Sequence, residues 1–123
     1  MATPEAQLDG EPLQTRFQDD PDLLLALSAV FLEDYPIRLA AISDALVHGD
    51  AAALVRAAHT LKGAVSVLCD NGPTLVVREL EVAAKQADLE LARGLYPRLE
   101  AQLARLRVEL LRLPADVQTP EAV

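Results

Sequence analysis

Apolar residues recur along this chain at helical spacing from about residue 22 to residue 113. The clearest run is Leu54, Ala58, Leu61, Val65 and Leu68, whose intervals of four, three, four and three are the stripe of a half-buried helix. Asp50 is a natural N-cap for it, which places a helix at about residues 51–68. Upstream, Asp20 or Asp22 caps a first helix running to about Glu33. Pro36 then starts or kinks a second, which ends at Val47-His48-Gly49. His48 suits the negative end of that helix and Gly49 its C-terminal cap. Downstream, the turn Asp70-Asn71-Gly72-Pro73 reverses the chain into a helix from about Pro73 to Ala87, with Leu75, Leu80 and Val76 or Val82 as candidates for burial. Leu89, Ala92, Tyr96, Leu99, Leu103, Leu106, Leu110 and Leu113 continue the three-and-four spacing to the end of the ordered pattern, where Pro114 and Pro120 stop the helix.

Composition narrows this picture. A chain of 123 residues supports one domain with a modest core, and 51% apolar with 3% aromatic residues favours Leu, Ala and Val helices over a β-sandwich. The net charge of −8 is unevenly placed. Residues 1–34 hold eight acidic residues against Arg16, a net of −7, and the remainder holds 11 acidic against 10 basic residues, a net of −1. Without a basic stripe to neutralise phosphates, nucleic-acid binding is not expected. Residues 1–20, with Pro4, Gly10 and Pro12 and no apolar period, read as a flexible acidic linker. The single Cys69 excludes an intrachain disulfide and has no His or Cys partner at metal-ligand spacing. No run of about 18 apolar residues and no signal pattern is present, so no direct membrane contact and a cytoplasmic location are expected.

The candidate chemistry lies in Ala58-His59-Thr60-Leu61-Lys62-Gly63. At roughly 100° per residue, His59 points about 140° away from the centre of the buried stripe, with Arg56, Gly63 and Ser66 also well away from it and Lys62 on its flank. Lys62 and Gly63 lie three and four residues on, the spacings at which helical side chains become neighbours. A Lys ammonium there stabilises added negative charge and disfavours the imidazolium, keeping the nucleophilic form of the ring. Gly63 in a helix interior costs roughly 1 kcal/mol relative to Ala, and close approach of another molecule to the backbone is a reason for it. Ser66, one turn further, adds a hydroxyl to the same surface. Taken singly, each residue has an ordinary reading as a solvated His, a surface charge or a close helix crossing. The combination on one face suits a histidine that carries a phosphoryl group, with Nε2 the outermost ring nitrogen.

These residues resemble the histidine phosphotransfer (HPt) domains of bacterial multistep phosphorelays, whose core pattern of His, any residue, Leu, Lys and Gly is met here without a gap. Phe31-Leu32-Glu33-Asp34-Tyr35-Pro36 looks like the family's first-helix segment, Gly49-Asp50 like its turn before the histidine helix, and Leu80-Glu81 falls at the expected distance after it. The similarity covers roughly residues 22–112. It implies an all-α fold, an antiparallel four-helix bundle with an additional short N-terminal helix, occupying residues 21–113 between the linker and a C-terminal tail at 114–123. It also implies that His59 accepts a phosphoryl group from a receiver-domain aspartyl phosphate and passes it to a response-regulator Asp. Lys62 is then its electrostatic support and Gly63 the gap that admits the partner. Arg56, Ser66, Glu81 and Lys85 are expected at the rim of the partner surface. The expected partners are receiver domains of a hybrid sensor kinase and of a response regulator, with this chain as a C-terminal module of such a kinase and a cytoplasmic end of a membrane-bound sensor as its setting. No cofactor is expected on this chain, Mg2+ belonging to the receiver, and no enzyme activity of its own, since no glycine-rich phosphate loop is present.

Other readings exist. The leucine stripe after residue 89 has the spacing of a dimerising coiled coil, but Gly94 and Pro97 interrupt it and the last helix of a bundle needs the same stripe for its own core, so a monomer is expected. The dimerisation and histidine-containing domain of a sensor kinase usually follows its His with an acidic residue, a polar residue and Pro, unlike Thr60-Leu61-Lys62-Gly63 here. The phosphoacceptor domain of chemotaxis-type kinases shares the His, Lys and Gly spacing and takes its phosphoryl group from ATP on a kinase domain. A non-catalytic helical adaptor, with His59 incidental, is the remaining alternative.

Overall fold

The computed structural model describes residues 17–69 and 71–118. The linker expected at residues 1–20 lies outside these except for Phe17 to Asp20, and so do residues 119–123 of the expected tail. Among the described residues four helices follow one another: α1 Pro21–His48, α2 Ala51–Leu68, α3 Pro73–Lys85 and α4 Leu89–Gln118. Each begins or ends on local chemistry. The Asp20 side chain accepts from the Leu23 N–H at 3.0 Å, Asp50 from Ala53 at 3.0 Å and Asp88 from Leu91 at 3.1 Å, each satisfying an otherwise orphaned donor of a first turn. Gly49 closes α1 in the left-handed conformation, φ 66°, which a residue without Cβ adopts freely. Short connections make neighbouring helices antiparallel, and Arg93 Nη2 at the start of α4 donates to the Leu46 carbonyl at the end of α1 at 2.9 Å.

Around the bundle α1 packs on α2, α2 on α3, α3 on α4 and α4 back on α1, so α2 and α4 stand diagonally across the core. The core is one cluster, in which Ile42, Leu54, Leu61, Val65, Val77, Leu80, Leu99, Leu103 and Leu106 are fully enclosed. The entire Leu54-to-Leu68 stripe is buried, as its period requires.

Four local expectations are corrected. No separate short N-terminal helix is formed by residues 21–33, because α1 runs continuously through Pro36. Pro36 removes one backbone donor, but Phe31 and Tyr35 are buried just before it, stacked at 5.1 Å, and Ile42 is buried after it. That packing on both sides outweighs the lost hydrogen bond. Likewise α4 passes through Gly94, Pro97 and Pro114 to Gln118. On α3 the inward face is Val76, Val77, Leu80, Ala83 and Ala84, whereas Leu75 and Val82 are exposed. That helix ends at Lys85, two residues early, because Ala87 turns to φ 57°, so that the Ala87 and Asp88 N–H groups bond back to Ala84 and Ala83.

Candidate functional site

The site lies across α2 and α3. On α2, His59 stands on the face opposite the buried stripe, with 69% of its side chain exposed. On α3, Val77, Glu81 and Ala84 lie four and three apart on the edge turned toward α2, so Glu81 is carried into the interface and only 3% of it remains exposed. A buried carboxylate must be compensated. Here three cationic or hydrogen-bonding groups converge on it: Lys62 Nζ at 2.6 Å from Oε1, His59 Nδ1 at 3.0 Å from Oε2, and Lys85 Nζ at 3.4 Å from Oε2. Burial pushes the Glu81 carboxyl up, but the hydrogen bonds from Lys62 and His59, the Lys62 charge and the Lys85 contact outweigh it, and the group titrates below its ordinary value.

An ionised carboxylate only accepts hydrogen bonds. The bond to His59 is therefore donated by Nδ1–H, and in the neutral ring the lone pair lies on Nε2. With Nδ1 turned to α3, Nε2 is the outer nitrogen of an exposed imidazole. The arrangement presents a nucleophile of fixed tautomer beside two ammonium groups, Lys62 and Lys85, and one carboxylate, a local net charge of +1 that favours an incoming anion.

Glu81 was expected at the rim of a partner surface and is instead the buried centre of the cluster. Its place in the Val77, Glu81, Ala84 spacing was the available signal. Lys62, on the flank of the stripe as its angle indicates, is 29% exposed and spans to α3. Lys85 is exposed on the outer side. Arg56 is exposed one turn before His59. Ser66 is half-buried, its hydroxyl donating to the Gly63 carbonyl at 3.1 Å. Gly63 is exposed, and a Cβ built on it meets no atom within 4 Å, so nothing inside the molecule requires a glycine there. Sequence reasoning missed a contribution from α1. An apolar groove of about 180 Å³ between α1 and α2 is lined by Leu27, Val30, Phe31, Ala64, Val67 and Leu68 with Asp34 at its edge. It begins beside Gly63, and Val30, off the buried face of α1, was the legible hint.

A protein-family model, the Hpt domain, matches residues 26–109, well over half of the chain. The chain belongs to the Hpt domain family. Hpt domains are phosphocarrier modules that take part in histidine phosphotransfer within phosphorelays and interact with receiver domains. The all-α four-helix architecture accords with this Hpt assignment. No curated protein matches the chain. No solved structure matches it either. Among the described residues of this Hpt domain, no helix is long and apolar enough to cross a membrane.

Proposed function

We propose that His59 Nε2 takes a phosphoryl group from the aspartyl phosphate of one receiver domain and passes it to the Asp of another. The observation that carries this reading is the Nδ1–H bond to Glu81, which leaves the outward nitrogen with the lone pair. In the forward step the Nε2–P bond forms as the P–O bond to the donor aspartate breaks, and the aspartate leaves as a carboxylate. The ring keeps its Nδ1 proton and becomes positively charged, a charge the Glu81 carboxylate 3.0 Å away stabilises as it develops. Lys62 and Lys85, both paired with Glu81 on the Nδ1 side of the ring, leave the cluster with a local net charge of +1 that offsets part of the charge the phosphoryl group brings. The reverse sequence at a second receiver discharges His59.

Docking falls to the surface around the ring. Gly63 leaves open space one turn from His59, and the groove between α1 and α2 continues from it with an apolar lining. A small patch of this kind gives modest affinity and fast exchange, as a relay needs. Arg56 and Ser66 flank this surface. The receivers are those of a hybrid sensor kinase and a response regulator, the setting being the cytoplasm.

The test is transfer from a phosphorylated receiver domain to the full chain and to His59→Gln, with the acid lability of the product recorded. Acid-labile phosphate on the parent alone is the expected result. Labelling only from an ATP-bound kinase would make this a chemotaxis-type phosphoacceptor, and labelling from neither donor would leave a helical adaptor.

A further inference from the structure

The last helix is apolar on two opposite faces, and the core uses only one. Ala92, Leu95, Leu99 and Leu106 are buried. Two positions on from each, roughly 200° around the helix, stand Gly94, Pro97, Ala101 and Val108, all exposed. With Ala104 and Leu111 they form a run spaced three, four, three, four and three, the a and d positions of three heptads. Val108 is 48% exposed and Leu111 53%. A helix that needed only to close a bundle would be polar there.

The borders of this stripe are basic. Arg93, Glu100 and Arg107 follow one edge, at the positions preceding Gly94, Ala101 and Val108. Arg98, Arg105 and Arg112 follow the other, at the positions after Pro97, Ala104 and Leu111. Arg93 and Arg98 also serve the bundle, through Leu46 and Glu79. Arg107 and Arg112 are exposed on either side of Val108 and Leu111. The single acidic border residue is Glu100, in a chain whose net charge is −8.

We infer that the outer face of α4 is a docking surface for an acidic amphipathic helix of another protein or domain. The helix class follows from side-chain size. Gly94, Ala101 and Ala104 let a second helix approach closely, and a Cβ on Gly94 would meet nothing within 4 Å. A lipid surface needs bulky or aromatic residues to insert, and this stripe has only Val108 and Leu111. The acidic character follows from the borders. Pairing with a second copy sets mostly like charges opposite one another: antiparallel, Arg105 meets Arg105 and Arg98 meets Arg112; parallel, Arg93 meets Arg98 and Arg107 meets Arg112, against one opposite pair, Glu100 with Arg105. A helix with Asp and Glu at its border positions sets opposite charges against the exposed Arg107 and Arg112 and along the rest of both basic borders. Since α2 and α4 are diagonal, the bound helix leaves His59 uncovered.

The test uses the full chain and a fluorescent helical peptide of about four heptads with Leu at a and d and Glu at e and g, whose own charges oppose its self-pairing. A peptide with Lys in place of Glu is the control. Anisotropy is expected to show binding of the Glu peptide only, weakened by salt. Leu111→Glu should weaken it about tenfold or more, and Arg107→Glu with Arg112→Glu by a similar factor, with helicity unchanged. Equal binding of both peptides, no binding of the Glu peptide, or no effect of Leu111→Glu would overturn the inference. Sedimentation with phosphatidylserine vesicles, abolished by the two Arg substitutions, would overturn it in favour of a membrane. Self-association abolished by Leu111→Glu would overturn it in favour of a second copy.

Discussion

Glu81 decides the chemistry of its neighbour because it is held buried and charged. A charge-assisted hydrogen bond is worth about 1.5–3 kcal/mol, and this one stabilises only the tautomer with the proton on Nδ1. Glutamine in its place fills nearly the same volume but can bond either tautomer, through its carbonyl or its amide. Glu81→Gln is therefore expected to slow phosphoryl acceptance by about 10- to 100-fold while the fold persists, measured by the rate of labelling from a phosphorylated receiver. An unchanged rate would remove tautomer selection from the mechanism. The same carboxyl has a pH signature. Its folded-state titration is lowered, so its contribution to stability is complete above the ordinary Glu range and is lost as pH falls through the lowered value. Across that acid window the parent chain should lose stability more steeply than Glu81→Gln, read from urea midpoints between about pH 3 and 6. At this scale the common face of His59, Lys62 and Gly63 was legible because one helix carries all three at fixed angles. The burial of Glu81 against His59 was not, since the α2-to-α3 register that brings residues 59 and 81 together is a tertiary fact.

At the scale of the element, the position of His59 depends on where α2 starts. Asp50 fixes that start through its bond to the Ala53 N–H, following directly on the left-handed Gly49. Asp50→Ala should cost about 1 kcal/mol of stability and leave phosphoryl acceptance nearly intact, because the cap lies more than two turns from His59. Urea unfolding and receiver labelling on the same variant check both halves. The cap and the Leu54-to-Leu68 stripe are local signals, which is why the bounds of α2 could be read from sequence. Pro36 and Pro114 could not be placed that way. A proline weakens a helix by a local amount, and whether it ends one depends on packing by residues such as Phe31, Tyr35 and Ile42 that meet other helices.

For the whole molecule the consequence is that site and core stand or fall together. His59 and Glu81 belong to different helices, and the 3.0 Å bond between them exists only while Leu61 and Val65 of α2 pack with Val77, Leu80 and Ala84 of α3 in the common core. That core also takes in Leu99, Leu103 and Leu106 of α4 and Ile42 of α1, so no pair of helices has an apolar interior of its own. One cluster shared by the four described helices is expected to unfold as one cooperative unit. The urea midpoint for loss of helicity, by circular dichroism, should therefore coincide with the midpoint for loss of phosphoryl acceptance by His59. Earlier loss of acceptance would mean that α3 opens locally from α2 while the rest of the bundle holds. The His59–Glu81 pair would then rest on a two-helix contact instead of the four-helix core. Coincident midpoints would make any large-to-small change in that core, on whichever helix, a change in the fraction of molecules able to carry phosphate.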